Sequence, residues 1–181
     1  MHDSKPNSVQ ITQTIKSDPA PSRALQIRGG YRITVDGKRV MQFQDEDPSE
    51  WGEWQPEYFG DYLSVELQNL FEALLKLRND NIGRYDVAEA GIEATRLAYA
   101  FERLSGEYVR VAARHRPQEP SNITLVPEAE RGYVVNIDSL CREAADCGDA
   151  FVDAAADFGH DLDRAPIPTL RDYVEQLRKA D

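Results

Sequence analysis

The chain has 181 residues, 41% of them apolar and 29% charged, which is typical of a folded globular protein and unlike a disordered chain. Acidic residues outnumber basic residues by 32 to 21, and the formal net charge of -11 opposes direct binding of nucleic acid. No apolar run reaches the ~18 residues that a membrane span requires, and the first residues lack the apolar stretch of a secretory signal. We therefore expect a cytoplasmic protein that does not contact a membrane.

The chain begins with a segment rich in Pro, Ser, Thr, Asn and Gln, which predicts a flexible polar tail over residues 1–23 and a single α+β domain over 24–181. Within the tail, Val9-Gln10-Ile11 alternates and would form an edge strand if a sheet edge were available. The first firm element is a hairpin near 31–43, because Asp36-Gly37 lies between two alternating runs. Leu25 and Ile27 are candidates for a third strand.

Leucines at three- and four-residue spacing predict a helix over 61–78. The next segment, 86–104, is apolar around most of a helical circumference, which predicts a helix that is sandwiched between layers or lies in an oligomer interface. Two short apolar runs predict a second hairpin near 123–137. Two further helices are predicted over 139–158, capped by Asp138 or Ser139, and over 169–179. The fold class expected is α+β, with a small antiparallel sheet packed by about four helices.

Nucleophilic and cofactor chemistry have little support in the sequence. Cys141 and Cys147 fall in one predicted helix, about 9 Å apart along its axis, whereas a disulfide requires Cα atoms within about 7 Å. We expect both to be buried, reduced thiols. The three histidines have no metal-binding spacing, and no phosphate-binding loop or serine elbow is present. No cofactor is expected, and an enzyme is the less favoured interpretation.

The negative charge is concentrated in two segments. Residues 45–61 hold seven acids and no base, and residues 138–163 hold eight acids and one base. Together these segments carry -14, and the rest of the chain carries +3. The sequence therefore predicts two acidic patches on a nearly neutral body.

The first patch also contains four aromatic residues, including both tryptophans of the chain, and Tyr62 follows it directly. Aromatic side chains that fold back onto the core are one interpretation. The other is a contact surface, because Trp and Tyr dominate interface hot spots and carboxylates steer a basic partner. The residues predicted to bind the partner here are Asp45, Glu46, Asp47, Trp51, Glu53, Trp54, Glu57 and Tyr58.

The second patch forms an acidic ridge on the predicted helix 139–158. At 100° per residue, one face carries Asp146, Asp149, Asp153, Asp157 and His160. A solvated face is the simplest interpretation, and a docking surface for a cationic partner, formed by Asp149, Asp153 and Asp157, is the functional one.

A metal site is a third interpretation of this ridge. Carboxylates one turn apart can share Mg²⁺, and Glu89 with Glu93 would complete a site with Asp149, Asp153 and Asp157. Such a site would suit a Mg²⁺-dependent hydrolase of a phosphorylated small molecule.

The leading hypothesis is a non-enzymatic protein that inhibits or sequesters a basic protein, its carboxylates replacing the phosphates of nucleic acid. In composition alone, the chain is similar to small acidic immunity proteins and phage-encoded inhibitors. The alternatives are the Mg²⁺-dependent hydrolase and a subunit of a larger protein assembly. Self-association is expected under each of these, because the segment 86–104 has few polar positions.

Overall fold

The computed structural model describes residues 7–15, 27–44, 62–92, 97–116 and 124–179. These residues form a three-stranded and a four-stranded antiparallel sheet together with four helices. The predicted α+β class is confirmed.

The three-stranded sheet consists of β1 (Val9–Ile15), β2 (Gly29–Val35) and β3 (Lys38–Arg39), in that order. The strands β2 and β3 form the predicted hairpin, in which Asp36 and Gly37 have φ values of 50° and 75°. Two consecutive left-handed residues match the right-handed twist of the flanking strands, which explains why Asp-Gly forms this turn.

The strand β1 lies inside the segment predicted to be a flexible tail, so that prediction is wrong for Val9–Ile15. All seven residues of β1 pair with β2, and Val9 and Ile11 are 5% exposed. The alternation of apolar and polar residues gives one buried face, and the partner edge comes from the same chain. This strand is therefore the third strand of the sheet, whereas Ile27 precedes β2 and Leu25 lies outside the described residues.

Helix α1 (Leu63–Arg78) confirms the helix predicted over 61–78. Its first residue is held by a hydrogen bond to an earlier segment of the same chain, because the Leu63 amide donates to the Ile27 carbonyl at 3.0 Å. Ten of its sixteen residues are buried, since the helix lies between both sheets and two later helices.

The helix predicted over 86–104 is wrong. This segment instead contributes two strands to the four-stranded sheet, whose order is β4 (Val87–Gly91), β5 (Leu97–Arg103), β6 (Tyr108–His115) and β7 (Tyr133–Asn136). Apolar residues on all sides of a helical projection also describe a strand buried on both faces, and the first five residues of β5 are buried without alternation.

The second predicted hairpin, near 123–137, does not form. Leu125 instead makes an isolated antiparallel bridge to Phe43, and β7 pairs with β6. Helix α2 (Pro127–Arg131) occupies the intervening residues and ends at Gly132, whose φ of 71° suits glycine.

The last two helices confirm the predictions over 139–158 and 169–179, with shifted starts. Helix α3 (Ile137–Asp157) is capped by Asn136, whose side chain accepts from the Ser139 amide at 3.0 Å, rather than by Asp138 or Ser139. Helix α4 (Ile167–Arg178) begins after Pro166 and has no side-chain cap. It packs against α3 and α1.

The core lies where α1 meets the two sheets. The rings of Tyr31 in β2 and Tyr99 in β5 are 5.4 Å apart, and both side chains are fully buried. The Ile33 amide donates to the Tyr99 hydroxyl at 3.4 Å, so one sheet contacts the other through this pair. Among the described residues, no helix is long and apolar enough to cross a membrane.

Candidate partner-binding surface

The first of the two predicted contact segments cannot be placed. Residues 45–61 lie outside the described part of the chain. The predicted contact residues that fall there are Asp45, Glu46, Asp47, Trp51, Glu53, Trp54, Glu57 and Tyr58.

The second segment forms the acidic ridge of α3. Asp146, Asp153 and Asp157 are exposed and Asp149 is partly exposed. The opposite face of α3 is buried in the core, with Leu140, Cys141, Cys147 and Phe151 at 4% exposure or less. The carboxylates face water because the core requires the other side of the helix.

The carboxylates of this ridge repel one another, so the packing of α3 against neighbouring helices has to stabilise the helix. Asp149, Asp153 and Asp157 are four residues apart, and like charges at that spacing destabilise an isolated helix by about 0.2–0.5 kcal/mol per pair. Gly148 allows the compensating packing: a Cβ atom at this position would lie 2.5 Å from Val174 of α4 and 2.8 Å from Phe71 of α1. The absence of a side chain therefore lets three helices approach closely beneath the ridge.

Arg178 of α4 joins the ridge to its neighbour. Its guanidinium lies 2.7 Å from the Asp146 carboxylate and 2.6 Å from the Asp149 carboxylate. Asp153 and Asp157, by contrast, form no ion pair with any residue in the described ranges. Arg178 was not predicted, because sequence spacing within α3 carries no information about which helix lies beside it.

Beyond Arg178, the α3–α4 groove has a volume of about 500 Å³. Its polar lining consists of four carboxylates and two guanidiniums, and its apolar lining comes from Leu162, Pro168 and Val174. The lining residues are Asp149, Leu162, Asp163, Pro168, Arg171, Asp172, Val174, Glu175 and Arg178. The groove has an excess of two negative charges and shares Asp149 with the ridge.

The two cysteines on the buried face of α3 are poor nucleophiles. Burial raises the pKa of the Cys141 thiol to about 11 and that of the Cys147 thiol to about 12. Both stay protonated near neutral pH, and the thiolate is the reactive form. Both are free, as predicted from their spacing.

The metal interpretation was based on helical spacing between Glu89 and Glu93. Glu89 lies on strand β4 rather than on a helix, and at about 3.3 Å per residue a strand places carboxylates four residues apart roughly 13 Å from each other, whereas a helix places them one turn apart. Glu93 itself lies outside the described residues. Within the described ranges, no group of three or more His, Cys, Asp or Glu side chains could hold a metal ion.

The α3–α4 groove and the ridge beside it thus form one negatively charged surface. The excess of carboxylates over guanidiniums in its lining suits a cationic group. Comparisons of the chain with protein-family models, with curated proteins and with solved structures find no match.

Proposed function

We propose that this chain is a cytoplasmic binding protein that inhibits or sequesters a basic protein partner. The observation that supports this function is the α3–α4 groove, where carboxylates outnumber guanidiniums by four to two. Asp153 and Asp157 extend the same negative surface along α3.

The chemistry of the groove suits a lysine or arginine side chain. The carboxylates of Asp163, Asp172 and Glu175 would pair with the cation, and Leu162 with Val174 would contact its methylene groups. Charges exposed to solvent mainly raise the association rate and set the register, so the affinity requires a further apolar contact.

The acidic aromatic segment 45–61 supplies that contact in the proposal. Trp51 and Trp54 would provide most of the binding energy, because tryptophan is enriched among interface hot spots. A partner that normally binds nucleic acid fits both surfaces, since carboxylates can occupy the positions of phosphates in its basic groove.

The test is affinity capture from lysate of the native host, with three variants beside the wild type. Asp153→Asn with Asp157→Asn removes two ridge charges without changing side-chain size, and Trp51→Ala with Trp54→Ala removes the aromatic contact. The matched control is Glu128→Gln with Glu130→Gln, which removes two exposed carboxylates from α2 instead.

We expect the wild type and the control to retain one basic protein that both other variants lose or retain weakly, with affinity falling as salt increases. Equal retention by the ridge variant and the control would exclude α3 from the interface. Equal retention by all four proteins, or capture of acidic proteins only, would contradict the proposed function.

A further inference from the structure

At the end of the four-stranded sheet that carries Glu102 and Arg110, the outer face is accessible and belongs to neither the core nor the α3–α4 groove, whereas Ala98 and Ala100 further along this face are buried. Residues directly opposite each other in antiparallel strands share a face. The pairings Val87 to Glu102, Glu102 to Arg110 and Arg110 to Val134 therefore place these four side chains in one row across β4, β5, β6 and β7. Their neighbours along the strands, such as Phe101 and Val111, point to the core and are fully buried.

This row is accessible at its edge and charged at its centre. Val134 is 43% exposed, and the side chains of Arg110 and Glu102 are 39% and 17% exposed. Arg110 and Glu102 form an ion pair within the chain. Helix α2 also contacts β6, and its C-cap, Gly132, lies against Ala112, two residues along β6 from Arg110.

The next row towards the end of the sheet is aromatic. The Leu104 amide donates to the Tyr108 carbonyl at 3.0 Å, and Tyr108 pairs with Asn136. Tyr108 is 37% exposed, and Tyr85, beside the end of β5, is 60% exposed.

The backbone holds the Tyr85 ring in this exposed position. The residue has a φ of 70°, which is uncommon for a bulky side chain, and its amide donates to the Arg103 carbonyl at 2.7 Å. The Arg84 guanidinium lies 4.8 Å from the centre of the Tyr85 ring. Three of the exposed large hydrophobic residues in the described ranges thus lie at one end of this sheet, namely Val134, Tyr108 and Tyr85.

The order of side chains in the charged row is self-complementary. Read from β4 to β7 it is apolar, acidic, basic and apolar. A two-fold axis parallel to the strands, passing between β5 and β6, would bring Glu102 of one copy over Arg110 of a second copy, and Arg110 over Glu102. The same axis would bring Val87 over Val134 and Leu104 over Tyr108.

We propose that this outer face is an interface for a second copy of the same chain, related by that two-fold axis. Packed sheets lie ~10 Å apart with their strands within about 30° of parallel, so Glu102 and Arg110, which flank the axis, are displaced least by sheet twist. A two-fold interface requires a self-complementary surface, and this row meets that requirement. The proposal is independent of the α3–α4 groove, which remains accessible in each copy.

The test is the mass of the full chain in solution, measured by sedimentation equilibrium over a range of concentrations. Arg110→Glu would place acids over acids at the axis, and we expect at least a tenfold weaker dimer. Arg110→Glu combined with Glu102→Arg reverses both charges, keeps the ion pair within the chain, and should restore the dimer. The matched control is Arg171→Glu on α4, which makes the same charge change elsewhere and should not alter the mass.

A second variant keeps the test decisive if Arg110→Glu destabilises the fold. Val134→Lys leaves the Glu102–Arg110 pair intact and places a charge over Val87 of the second copy, so it should also weaken the dimer. A wild-type monomer at all concentrations up to about 1 mM would overturn the proposal. A dimer that survives both Arg110→Glu and Val134→Lys would overturn it as well.

Discussion

The α3–α4 groove and the outer face of the four-stranded sheet are both charged, but their charges are arranged differently. Along α3 several carboxylates follow one another on one face, and Arg178 pairs with two of them, Asp146 and Asp149. On the sheet, the acid Glu102 lies directly beside the base Arg110. An unbalanced series attracts a partner of the opposite sign, whereas a balanced pair contributes little long-range attraction and instead selects a register.

The two surfaces also differ in what fixes their geometry. The sheet face is fixed by backbone hydrogen bonds between neighbouring strands, so its side chains can change without moving the backbone. The groove depends on close contact between α3, α4 and α1, with Gly148 at the centre. Damage to helix packing should therefore affect the groove first.

The largest expected effect comes from Gly148→Val. The added carbons would overlap Val174 and Phe71, and we expect a loss of about 3 kcal/mol in the free energy of unfolding. The matched control is Gly106→Val in the turn between β5 and β6, where nothing lies within 4 Å of the added Cβ. This change should alter the free energy by less than about 0.5 kcal/mol. Urea denaturation measures both, and equal losses would show that helix contact is not what Gly148 serves.

A smaller effect should follow from alkaline pH. The thiols of Cys141 and Cys147, on the buried face of α3, have an ordinary pKa of 9.0, and burial raises it to about 11 and about 12 in the folded protein. The unfolded chain then releases their protons first, so stability is complete below pH 9 and falls as the pH rises towards the folded values.

Burial also raises the pKa of Tyr31 and Tyr99 above their ordinary value of 10.0, so these tyrosines report on the region between the two sheets in the same way. We expect the Tm of the wild type to begin falling near pH 9. In Cys141→Ala with Cys147→Ala the fall should begin nearer pH 10, when only the tyrosines contribute. The same onset in both proteins would show that the thiols are not held protonated by burial.

The smallest expected effect is that of Arg178→Met. Exposed ion pairs contribute about 0.2–1 kcal/mol, and Arg178 is 46% exposed, so we expect a small decrease in Tm at low salt that disappears at about 1 M salt. Arg171→Met on the same helix is the control, because Arg171 pairs with no carboxylate in the described ranges. A decrease that persists at high salt would mean that Arg178 acts through packing.

Local patterns predicted much of the fold, and they failed where burial was two-sided. The leucine spacing of α1 and the polar and apolar faces of α3 each require one orientation, so both helices were predicted within two residues of their bounds. The segment 86–104 has only a narrow polar stripe, since the first five residues of β5 are buried on both faces, and a helix and a strand then look alike in sequence. For β1 only a conditional edge strand at Val9-Gln10-Ile11 was predicted, because the strand forms against β2 and α3, which follow later in the chain.

Part of the candidate surface was also predictable from local spacing along the chain. Helical spacing placed Asp149, Asp153 and Asp157 on one exposed face of α3. The short connection from α3 to α4 indicates antiparallel neighbours in general. It does not specify the rotation that brings Arg178, rather than Arg171, to the ridge.

The pairing of β1 has a consequence for synthesis of the protein. Helix α3 packs against β1, and the Asn7 side chain donates to the Val134 carbonyl, 127 residues later in the chain. The ribosome therefore releases the first strand long before α3 exists to cover it, and contacts of such long sequence separation form slowly. Until α3 leaves the exit tunnel, Val9 and Ile11 of the nascent chain lack the helix that completes their burial.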